Sequence, residues 1–179
     1  MRIKLDQLKT LITEHLEQEF KKSVKFTGIL KLMPSDSVVA QAQEITKTLP
    51  KKTIVINDDG SESKVPVAPL HPANLHVTLA HQSILKPFKK QLKALYKAGQ
   101  LPTPPDVQLD PAWEQRDDPI LRRRSWVAWV LNENEIKAYL NEVMSEVGGP
   151  ENAWDIEVPT RRFHVSLANL TGNPGDSVR

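Results

Sequence analysis

The chain contains no cysteine. This excludes disulfides and thiol catalysis, and it fits a reducing compartment. Net charge is nearly absent as well, with 24 Lys and Arg against 22 Asp and Glu, a formal +2. Bulk electrostatics therefore gives no reason to expect long nucleic acid as a partner. No apolar run approaches the roughly 20 residues that a membrane-spanning helix needs. The opening "MRIKLDQLKTLITEHLEQEF" mixes acids with apolar residues, so it reads as neither a signal peptide nor a span. The expectation is a cytoplasmic protein with no membrane partner. What remains, 39% hydrophobic and 26% charged in 179 residues, is enough for one globular domain or two small fused lobes.

Periodicity divides the chain into elements. Leu5, Leu8, Ile12, Leu16 and Phe20 recur at steps of three and four, which predicts an amphipathic helix within residues 1–24. "KFTGILKL" (25–32) reads as a strand. "PSDSVVAQAQEITKTLP" reads as a helix with Val38, Ala42, Ile45 and Leu49 on one stripe, opened by Ser and Asp capping candidates and stopped at Pro50. Residues 51–74 carry "DDG" between two short apolar runs, a hairpin signal, and then proline-rich loop. After a strand near residue 76 comes a helix from about Pro87 to Ala98, closed by Gly99. "SWVAWVL" (125–131) reads as a strand and "NENEIKAYLNEVMSEVGG" as a helix burying Ile136, Leu140, Val143 and Val147. A last strand trails into a loop-like tail, "TGNPGDSVR".

One phrase occurs twice. "LHVTLAHQS" begins at Leu75 and "FHVSLANLT" begins at Phe163, and the His, Val, Leu and Ala coincide, with Thr78 matching Ser166. Each copy follows a strand, a helix and a connection, so a repeated βαβ-like unit, over about 26–81 and 125–169, accounts for it most simply. On a strand, side chains alternate between faces. His76, Thr78 and Ala80 then share one face, as do His164, Ser166 and Ala168, while Val77, Leu79, Val165 and Leu167 point the other way into a core.

Two imidazoles facing one another suit acid–base chemistry near neutral pH. One takes a proton from an attacking hydroxyl, the other delivers one to a leaving oxygen, and Thr78 and Ser166 donate to a phosphoryl oxygen. No metal or other cofactor is called for. His71, His76 and His81 lack an H-E-x-x-H frame, and residues 76 and 81 face opposite ways. His15, His71 and His81 have no matched hydroxyl and read as structural.

The paired H-x-[T/S] phrases on strands of a duplicated α/β unit resemble the 2H phosphoesterase superfamily. That resemblance implies an α+β fold, bilobal, with the two motifs facing across a central cleft, here over residues 25–179 after the added N-terminal helix. "FHVSLANLTGNPGDSV" is also similar to small phage-encoded members, above all the anti-CBASS nucleases, which degrade cyclic oligonucleotide alarm signals of bacterial defence. A cyclic di- or trinucleotide would then be the substrate, and the cytoplasm of an infected bacterium the setting. The alternatives are an RNA-end phosphodiesterase, acting on 2′,3′-cyclic phosphates or 2′–5′ linkages, and a non-catalytic module that sequesters a nucleotide. Whether the chain oligomerises is left open.

Arginines at 122–124 and 161–162 are candidate phosphate ligands. Arg162 has the parity of His164 and Ser166, and Arg124 is the second candidate. Tryptophans are candidate base-stacking residues, with Trp126 and Trp113 favoured; Trp126 and Trp129 differ by an odd number, so only one of them can share the face of the histidines. The stripe Lys86, Lys90, Lys93 and Lys97 reads as a solvated helix face.

Overall fold

A computed structural model describes residues 23–178. The expected helix over residues 1–24 lies almost wholly outside them, and at its end Val24 already belongs to a strand. The chain forms two compact units, each assembled from three segments. One takes residues 23–33, Thr78–Pro105 and Asn134–Arg161; the other takes Pro34–Val77, Asp106–Glu133 and residues 162–178. The stretches 26–81 and 125–169 each contribute to both units.

In the first unit, β1 (Val24–Phe26) and β2 (Leu30–Leu32) form a short antiparallel hairpin with Val24 opposite Leu32. The sequence predicts one strand here. Gly28, at φ +93°, turns the chain instead, a conformation that costs glycine little and other residues more. Further on, α2 (Gln82–Leu85) runs through a 3₁₀ turn containing Pro87 into α3 (Lys89–Ala98), which Gly99 closes at φ +66°. Leu92 is buried and the four lysines of the stripe are exposed. Most of α4 (Glu133–Ser145) also belongs to this unit and buries Ile136, Tyr139, Leu140, Val143 and Met144.

The second unit begins with α1 (Asp36–Lys47), whose buried stripe is Val38, Ala42 and Ile45. The hairpin β3 (Lys52–Ile56) and β4 (Glu62–Pro66) follows, turning at the "DDG" sequence. Then come β5 (Ala68–Pro69), the start of β6 (Val77–Ala80), β7 (Glu114–Asp118), β8 (Arg123–Trp129) and β9 (His164–Asn169). β9 is the centre. β8 runs antiparallel along one edge of it, and β5 and Val77 of β6 pair with its other edge.

The fold is therefore mixed α and β with antiparallel pairing. The order β8–α4–β9 matches the expected strand–helix–strand unit, but its strands are antiparallel neighbours, whereas a βαβ crossover makes them parallel. The strand β7, "EQRDD", escapes sequence reading because it has no apolar alternation. It is a charged partner along β8, with Glu114 opposite Val127 and Asp118 opposite Arg123. Residues 170–178 are tied down rather than loose. Asn169, fully buried, accepts from the N–H groups of Thr171 (3.0 Å) and Gly172 (2.6 Å), and Ser125 Oγ accepts from Val178 N at 2.7 Å. No helix among the described residues is long and apolar enough to cross a membrane.

Candidate active site

The pairing of Val77 with Val165 sets the geometry of both phrases. In an antiparallel pair it puts His76 directly opposite Ser166 and places His164 on the diagonal, where Cα atoms lie roughly 7–8 Å apart. The local two-fold that exchanges Val77 and Val165 also exchanges His76 and His164. Burial follows the alternation near the histidines, with Val77, Val165 and Leu167 fully buried and His76, His164 and Ser166 partly exposed. Ala80 and Ala168, expected on the histidine face, are instead fully buried, Ala168 against Trp126 and Val67. Thr78, also partly exposed, is the first residue of the other unit, and its carbonyl accepts from Arg161 Nη2 at 2.9 Å.

His76 precedes β6 by one residue. Its Nδ1 lies 2.7 Å from the carbonyl oxygen of Asn74. A carbonyl only accepts, so Nδ1 carries a proton in this contact, which fixes the ring's orientation. The turn that presents this carbonyl, Pro72–Asn74, is capped by His71, whose Nδ1 accepts from Ala73 N at 3.2 Å. His71 thus has a structural place two steps behind His76.

His164 sits opposite Trp129 in the β8–β9 register. The two rings meet edge to face at 5.7 Å and 81°, a favourable geometry for aromatic pairs. Arg116 on β7 brings Nη1 to 3.5 Å from His164 Nδ1, and its Cζ lies 5.6 Å from the Trp129 ring centre. Burial holds the Arg116 guanidinium below the ordinary arginine range, and nearby Glu114 partly offsets this. Trp129 is itself pinned, because its Nε1 donates to Glu114 Oε2 at 2.7 Å. Arg162 covers the indole with Cζ 4.3 Å from the ring centre and Nε 3.6 Å from Glu133 Oε1. The same Glu133 oxygen accepts from Phe163 N at 2.9 Å, fixing the chain just ahead of His164.

The structure thus brings His76, His164, Ser166 and Arg162 to one region and removes two candidates. Trp126 is completely buried against Val67 and Ala168, so no base can stack on it; of the two tryptophans on β8 it is Trp129 that stands beside His164. Arg124 is committed elsewhere. Its Nε donates to Asp117 at 2.5 Å, and its Nη1 to Thr53 Oγ1 at 2.7 Å and to the Ile54 carbonyl at 2.6 Å, fastening the β3–β4 hairpin. Trp113, 37% exposed just before β7, makes no ring contact with either histidine among the described residues. Sequence reading misses Arg116 and Glu114 because it misses β7. The turn signal "DDP" ahead of β8 points to a preceding paired strand, and Asp118 does accept from Ile120 N and Leu121 N to form that turn.

No family profile matches the chain, and no curated protein matches it. Among solved structures it is similar to Kluyveromyces marxianus Usb1 with uridine monophosphate, at 16% identity and a TM-score of 0.36, covering 83% of this chain and 71% of that one. A likeness that loose decides neither fold detail nor activity.

Proposed function

We propose that the chain is a metal-independent phosphodiesterase that cleaves 3′–5′ linkages of cyclic di- or trinucleotides, using the neighbouring ribose 2′-hydroxyl as nucleophile. The observation that supports this reading is the register Val77–Val165, from which His76 and His164 fall on one diagonal of an antiparallel pair with Ser166 on the same face. One imidazole removes the 2′-hydroxyl proton, O2′ bonds to phosphorus, the P–O5′ bond breaks, and the other imidazole, protonated, gives its proton to O5′. The products are a 2′,3′-cyclic phosphate and a 5′-hydroxyl, and proton exchange with water resets the pair. Thr78 and Ser166 donate to the non-bridging oxygens, where negative charge builds up. A nucleophile tethered within the substrate needs no metal-generated hydroxide, since effective molarities of about 10⁵ M or more are available to it.

The cyclic substrate and a role in countering bacterial antiphage defence rest on the similarity of "FHVSLANLTGNPGDSV" to the phage nucleases. The test is incubation with a panel of cyclic di- and trinucleotides and RNA 3′ ends in excess chelator, with products weighed by mass spectrometry. Ring opening of a cyclic oligonucleotide is the expected result. Turnover of RNA ends alone moves the activity to RNA-end processing, and binding without turnover makes the chain a sequestering module.

A further inference from the structure

We propose that Arg116 and Arg162, mounted on Trp129 beside His164, form an anion subsite that holds a phosphate of the substrate other than the one being cleaved. This rests on the phosphodiesterase reading and adds a subsite to it. Four observations converge on Trp129. It lies directly opposite His164 in register, its indole N–H is anchored to Glu114, Arg162 stacks on it at 4.3 Å, and Arg116 approaches it at 5.6 Å. A stacked guanidinium is held in a fixed plane with its N–H edges pointing outward, which is the arrangement that grips a phosphate through two parallel hydrogen bonds. The stack also occupies an indole face, which leaves that face unavailable to a nucleobase.

The position selects which phosphate. A phosphorus served by both histidines lies over the diagonal between His76 and His164, on the side of Ser166. Arg162 lies two residues beyond His164 in the opposite direction, about 6–7 Å further along an extended chain. It is 54% exposed in its side chain, and Glu133 occupies only its Nε edge, at 3.6 Å. Its Nη groups make no hydrogen bond among the described residues and form the open edge. Glu114 accepts from the Trp129 indole N–H and Glu133 lies 3.6 Å from Arg162 Nε, so the two arginines carry little net excess of positive charge and the subsite favours an anion that fits the fork. The ligand class that follows is an oligonucleotide with at least two phosphates, whereas a substrate with a single phosphodiester leaves the subsite empty.

The test compares the intact protein with its Arg162→Gln variant on two substrates, a cyclic dinucleotide with two phosphates and a linear diribonucleoside monophosphate with one. Wild type is expected to prefer the cyclic dinucleotide in kcat/KM, and Arg162→Gln to shrink that preference about tenfold through KM. The variant should also show a flatter salt dependence of KM on the cyclic substrate, by roughly one phosphate contact. Parallel loss on both substrates, or no loss on either, overturns the subsite. Should wild type cleave neither, the phosphodiesterase reading fails and binding decides the subsite alone: equal affinity of both proteins for the cyclic dinucleotide overturns it, and a tenfold weaker variant upholds it.

Discussion

His76 and His164 occupy equivalent places in two copies of one phrase, yet their surroundings differ. A backbone carbonyl holds Nδ1 of His76, while a guanidinium and an indole edge flank His164. Neither is buried, so neither is needed to fill the core. His76→Ala or His164→Ala is expected to lower turnover by about 10²–10⁴-fold with little change in melting temperature, measured by steady-state kinetics beside thermal unfolding. Ser166→Ala and Thr78→Ala should each cost about 10²-fold. Trp126→Ala should show the opposite profile, a loss of about 3–5 kcal/mol in urea unfolding, because that indole is fully enclosed. At this scale, parity along a strand anticipated that His164 and Ser166 are partly exposed while Val165 and Leu167 are buried. The fate of Arg124 was not legible, since its partners Thr53 and Ile54 come from a hairpin some seventy positions away, and no local pattern records such a contact.

Among the elements, α4 combines a well-read stripe with an unread polar group. Ile136, Leu140 and Val143 are buried as their spacing predicts, and so is Tyr139, whose hydroxyl has no hydrogen-bond partner among the described residues. A buried hydroxyl left unpaired costs about 1–3 kcal/mol, so Tyr139→Phe should raise stability by about 1 kcal/mol at pH 7. Burial, with a smaller contribution from Glu142, pushes the Tyr139 hydroxyl well above the usual tyrosine range. A group whose folded-state pKa is raised contributes fully below its unfolded value and loses that contribution as pH rises past it. Wild type should therefore lose stability above about pH 10, and Tyr139→Phe should lose less, as urea unfolding at pH 7 and pH 10.5 will show. Elsewhere the helices and the "DDG" hairpin were readable because periodicity and turn chemistry are local. The break between β1 and β2 hinged on one glycine at φ +93°, and β7 lacked any apolar rhythm because an edge strand can be charged.

Over the whole molecule, the two phrases are brought together by antiparallel pairing between strands far apart in sequence. Repetition in the sequence suggested two related units, but which strands become neighbours, and in which direction, depends on long-range pairing. With a net charge of only +2, no broad field is expected to draw in a nucleotide, so the proposed binding relies on placed groups such as Arg162. The rate of the proposed reaction should trace a bell against pH, one limb for each imidazole, and should persist in chelator. The claim that joins these features is that the substrate's own 2′-hydroxyl attacks phosphorus between two histidines. It is tested most directly by comparing a cyclic dinucleotide with its analogue carrying a single 2′-O-methyl at the scissile ribose, in excess chelator. The expected result is similar affinity for both, with cleavage of the unmodified bond only and a 2′,3′-cyclic phosphate as first product. Cleavage of the methylated bond at a comparable rate would contradict it, because water would then be the nucleophile.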